Sequence, residues 1–188
     1  MTENRQRLLT DVDTLKALAH PLRQQLFHRL LRGGPATSAD LAGEYSADRG
    51  ATSYHLRQLE RFGFVEEDTA LSAGRRRYWR AVPQDMRLPK EADDPEVAAA
   101  AAEVWRQWME RGDRELRTYL AERDGYGAFA TAAQHSFGGT TLTAEELARF
   151  GEEYIAFLSR WYREPDPANG DARHVTVLFH AFPTPYGK

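Results

Sequence analysis

Five polar residues crowd into the interval 53–61: Ser53, Tyr54, Arg57, Gln58 and Arg61. They belong to the block RGATSYHLRQLERFGFVEEDTALSAGRRRYWRAV, residues 49–82. At about 100° per residue they share one side of a helix, while Thr52, Leu56, Leu59 and Gly63 share the other. A merely solvated face takes Glu, Lys and Asp freely, yet this one has no acid near its centre, and Glu60 falls toward the buried flank. Ser, Tyr, Gln and Arg donate, or both donate and accept, with the reach needed for phosphates and base edges. Just past a glycine follow Arg75, Arg76 and Arg77, three cations suited to phosphates. The chemistry these types and spacings point to is recognition of double-stranded DNA.

Such side chains need a frame. Leu8, Val12, Leu15 and Leu18 recur at helical spacing and predict a first helix that stops at AHP. Pro21 opens a second, with Leu22, Leu26 and Leu30 on one stripe and Gly33–Gly34 at its end. Thr37 followed by Asp40 has the form of a capping box and opens a third, short helix to about Tyr45. The fourth covers about 50–62, with Gly63 as its stop. FVEEDTA and RRYWRAV then read as two strands joined by LSAG. A short helix, a tight turn and a polar-faced helix make a helix-turn-helix, and the hairpin behind it makes a wing.

The segments LKALAHPLRQQLFHRLL, TSADLAGEY and RGATSYHLRQLERFGFVEE resemble the ArsR-type winged helix-turn-helix transcriptional regulators, in particular longer actinobacterial-type members with an extra C-terminal region. The resemblance covers about residues 11–82. It implies a dimeric, repressor-like DNA-binding protein. By position it implies that Ser53, Tyr54, Arg57 and Gln58 read the major groove, and that Arg75 to Arg77 touch the backbone or minor groove. The chain departs from the founding metal-sensing members, which use a cysteine pair in the third helix or Asp/His/Glu clusters on a terminal helix. It has no cysteine, and residues 96–123 hold no histidine.

Charge divides along the chain. Residues 1–90 carry 15 Lys+Arg against 11 Asp+Glu, and residues 91–188 carry 10 against 17. An anion-binding first half and a second half with another task are expected. Proline-rich VPQDMRLPKEADDP, 82–95, reads as a linker. The expected organisation is a DNA-binding winged helix over 1–84, a linker over 85–95, and a dimerisation and effector-binding region over 96–188. No metal site, cofactor or enzyme activity is expected. His174 and His180 on one extended strand would stand roughly 20 Å apart, and no phosphate loop, nucleophile elbow or HExxH is present. With neither a signal peptide nor a membrane-spanning run, the expected location is cytoplasmic.

The fold class expected is mainly α with small β (α+β), a winged helix-turn-helix domain followed by an α+β C-terminal region with a long helix. After the linker a long helix covers about 96–123, a strand about 131–142, a helix capped by Thr143 and Glu146 follows, and HVTVLFHAF, 174–182, reads as a strand. Fourteen of the 21 aromatics lie beyond residue 95. They read either as core and dimer interface or, through Trp105, Trp108, Tyr154 and Trp161, as a pocket for an apolar or aromatic effector. The functional expectation is a repressor that binds a pseudo-palindromic operator as a homodimer. Its alternative is a winged-helix module that docks a protein without reading DNA sequence.

Overall fold

The computed structural model describes residues 6–74, 76–161 and 170–184. It is mainly helical with small sheets, and its described residues form two compact units. The first contains residues 6–109 and 170–174, the second 110–161 and 175–184.

The first unit begins with β1 (Gln6–Leu8), α1 (Val12–Leu18) and α2 (Pro21–Gly33). Leu8 therefore belongs to a strand and not to the first helix. Asp11 caps α1 by accepting from the Thr14 amide at 2.7 Å. After β2 (Ala36–Thr37), the predicted capping box opens α3 (Ser38–Glu44), with Thr37 and Asp40 bonded reciprocally. A turn containing Ser46 in the left-handed region (φ 50°) leads to α4 (Arg49–Arg61), which is capped by Asp48. Thr52, Leu56 and Leu59 are buried, as the helix wheel requires.

The wing is an antiparallel hairpin of β3 (Val65–Glu67) and β4 (Tyr78–Ala81), with Val65 opposite Ala81 and Glu67 opposite Trp79. Strand β2 pairs with the other edge of β4, so the sheet order is β2-β4-β3. A two-stranded parallel pair of β1 with β5 (Asp85–Arg87) closes the unit. Neither β2 nor the parallel pair is expected from periodicity, because strands of two or three residues are too short to show it.

Leu15, Leu18, Leu26, Phe27, Leu30, Leu41, Leu56, Leu59, Phe64, Val65 and Trp79 form the core, and Ala100, Ala101 and Val104 of α5 (Pro95–Glu122) join it. Gln107, also on α5, donates to the carbonyl of Ala19 at 2.5 Å. The first unit thus runs past the proline-rich stretch into the long helix.

The second unit holds the rest of α5, a 3₁₀ turn (Arg123–Tyr126), α6 (Ala128–Ala132) and α7 (Ala144–Ser159). The reciprocal Thr143–Glu146 cap of α7 is present. Two expectations are corrected here. Residues 131–142 form the end of a short helix and then irregular chain, and 174–182 form no strand. The described part of the region after residue 95 is therefore helical and irregular, not α+β. A β-branched run becomes a strand only with a neighbouring strand to take its hydrogen bonds. Here Thr176 Oγ1 donates instead to Glu115 at 2.8 Å, and Phe179 stacks on Tyr154 with centroids 3.7 Å apart.

Candidate nucleic-acid interface

Helix α4 is a platform with its apolar side sunk in the core and its polar side presented outward. Tyr54, Arg57 and Arg61 are exposed, and Ser53 and Gln58 are half-buried. Tyr54 is 56% exposed, a large aromatic left in water where packing alone would have covered it. Arg57 and Ser53 line a cleft of about 320 Å³ together with Arg49, Arg76, Arg77, Trp79 and residues 37–40 at the start of α3. Four guanidiniums border a depression bounded by α3, α4 and the root of the wing, with the Asp40 carboxylate among them, so the lining carries a net positive charge.

Arg49, at the first turn of α4, is not among the residues expected from the centre of the helix. Positions 49, 53, 57 and 61 repeat every four residues and share a helix face, and that spacing was the available signal.

The three arginines of the wing differ. Arg75 lies outside the described residues. Arg76 is exposed and its guanidinium sits 5.7 Å from the Tyr78 ring. Arg77 is held inward: Nη2 lies 2.7 Å from Glu60 of α4, Nε lies 2.5 Å from Glu67 of β3, and its plane covers Trp79 at 4.3 Å. Arg77 therefore ties the wing to α4, and Glu60 is its partner on the helix. The register of the hairpin is what brings Glu67 to it.

His20 and His55 meet behind this face, with ring centroids 4.4 Å apart, and Tyr54 packs edge-on against His55 at 5.4 Å. Burial, and then the neighbouring Arg23, lowers the His20 pKa. Burial, then His20, then Arg23 lowers that of His55. The folded state thus favours two neutral imidazoles. Because the folded values lie below the unfolded ones, near 6.5, the stabilisation is complete above that pH. It is lost progressively as pH falls through it toward the folded values. Thermal unfolding temperature is expected to drop between pH 7 and pH 5, and to drop less in His55→Gln. Equal drops in both proteins would remove this pair as the cause.

The four aromatics read as an effector pocket fall in different units. Trp108 is half-buried against the first unit's core, and Trp105 is 48% exposed. In the second unit Tyr154 lies under Phe179, and Trp161 is 61% exposed with its ring 6.4 Å from that of Phe157. Among the described residues no group of three or more His, Asp or Glu side chains is arranged to hold a metal ion. No described helix is long and apolar enough to cross a membrane.

A capped helix, a tight turn, a second helix with an exposed polar face and a hairpin wing define a winged helix-turn-helix protein. Residues 18–68 match the family model described as a helix-turn-helix domain. No curated protein matches the chain. Among solved structures, the chain is similar to a possible transcriptional regulator for arsenical resistance, at 31% identity over 56% of this chain and 95% of that one, with a TM-score of 0.33. It is also similar to reduced HlyU from Vibrio cholerae, at 22% identity over 50% and 84%, TM-score 0.33. A mutant of ZitR from Lactococcus lactis in apo form follows at 13% identity over 77% and 84%, TM-score 0.35. At these TM-scores the superpositions carry no weight. The matched helix-turn-helix segment does. Residues 18–68 therefore hold a helix-turn-helix domain, in keeping with the fold of α3 and α4.

Proposed function

We propose that this chain is an ArsR-type transcriptional repressor that binds a pseudo-palindromic operator as a homodimer. Residues 1–84 are the DNA-binding module in this reading, and part of 96–188 joins the two subunits. The observation that carries it is the cationic cleft between α3, α4 and the wing, open beside an exposed Tyr54. Ser53, Tyr54, Arg57 and Gln58 read base edges in the major groove, because they occupy the outward arc of a helix narrow enough to enter it. Arg61 and Arg76 neutralise phosphates, and Arg77 holds the wing in place for them. One recognition helix spans only a few base pairs, so two copies about 34 Å apart supply the specificity.

Selection from a random duplex pool near physiological salt tests this. Enrichment of an inverted repeat with half-sites about one helical turn apart is the expected result. Flat recovery would favour a winged helix that docks a protein instead. Once an operator is in hand, Arg76→Ala is expected to weaken operator and unrelated duplex alike. It should also make the slope of log affinity against log salt shallower by about 1. A slope unchanged from wild type would take Arg76 off the backbone.

A further inference from the structure

Helix α7 is amphipathic, yet none of its residues is buried. Phe150, Tyr154, Phe157 and Trp161 recur at spacings of four, three and four, which places them on one stripe running the length of the helix and just past its end. Phe179 covers Tyr154 from one side. Phe150, Phe157 and Trp161 remain 43%, 48% and 61% exposed, and Val175, Val177 and Phe182 of the adjoining segment are 64%, 50% and 69% exposed. Together these six side chains leave on the order of 600 Å² of apolar surface in water, most of what one partner of a stable dimer buries.

Beside the stripe, on its polar flank, stand Glu153 and Arg160, one heptad apart. Such a flank complements itself when the helix meets a copy running the opposite way. Antiparallel pairing about a two-fold axis near residues 155–156 sets Phe150 opposite Trp161 of the partner subunit and Tyr154 opposite the partner's Phe157. The same pairing sets Glu153 beside the partner's Arg160, and two-fold symmetry repeats every contact. A parallel pair would bring like charges to the same level.

We propose that the aromatic stripe of α7 is a docking surface for a second copy of this chain, in antiparallel, two-fold register. This deepens the dimeric reading above and rests on it for the use to which the dimer is put. The interface itself forms without DNA.

Sedimentation equilibrium of the full chain at 0.15 M salt, without DNA, tests it. Wild type is expected to dimerise, and Phe157→Glu to raise the dimer dissociation constant at least tenfold with circular dichroism unchanged. Should Phe157→Glu fail to fold, the exposed charges decide the matter. Glu153→Arg and Arg160→Glu are each expected to weaken the dimer severalfold, and the two together to restore it. A monomeric wild type overturns the proposal, as does a Phe157→Glu dimer of unchanged affinity or a double swap no tighter than either single one. The operator selection fails or succeeds separately. A dimer lost through α7 with no enriched DNA would sink the repressor reading and keep this one. An enriched inverted repeat from a protein still dimeric as Phe157→Glu would do the reverse.

Discussion

Arg57→Ala is expected to lower affinity for the selected operator by about 10- to 100-fold, the ~1–3 kcal/mol of a lost bidentate base contact, while affinity for unrelated duplex falls only severalfold. The expectation follows from position. Arg57 is exposed, lies on the same face as Ser53, and borders the cleft that also takes in Arg49 and Arg76. Its backbone belongs to a helix fixed by Leu56 and Leu59, both fully buried. The guanidinium is thus presented from a rigid base, and removing it leaves the helix standing. Fluorescence anisotropy on operator and scrambled duplexes at one salt concentration would measure both losses. Equal losses on the two duplexes would mean that Arg57 grips phosphate and reads nothing.

Trp79→Ala is expected to cost about 3–5 kcal/mol of stability, the range for truncating a buried aromatic. Trp79 is 2% exposed and sits on the central strand of the β2-β4-β3 sheet, opposite Ala36 on one side and Glu67 on the other. Its ring also carries the Arg77 guanidinium that joins the wing to α4. A cavity here loosens the core and frees Arg77 from its aromatic support, so the wing should lose its fixed position before the rest of the unit melts. Chemical denaturation would give the stability change, and hydrogen exchange would show β3 and β4 opening first. A loss under about 1 kcal/mol would show that the core closes over the gap and that Trp79 is not the keystone of the sheet.

Which features were legible in the sequence follows from the range of the forces that make them. The caps of α3 and α7 were read from Thr37 with Asp40 and Thr143 with Glu146, and both reciprocal bonds form. These are contacts between residues three apart, so nothing distant can displace them. The buried side of α4 was legible for the same reason: Thr52, Leu56 and Leu59 share a face by helix geometry alone. Strand propensity misled at 174–182 because a strand is completed by another strand, and HVTVLFHAF finds side chains of α5 and α7 in place of a ladder.

The helix-turn-helix, the wing and the outward set of polar residues on α4 follow from chain order alone, because periodicity, caps and turns act within a few residues. Which cations are held by carboxylates depends on the folded core. Three consecutive arginines look alike on paper, yet the hairpin register delivers Arg77 to Glu67 and the packing of the wing delivers it to Glu60. The same folding set His20 against His55 and added Arg49 to the cleft. Charge pairing and burial depend on distance in space, and for residues far apart in the chain that distance exists only once the core has closed.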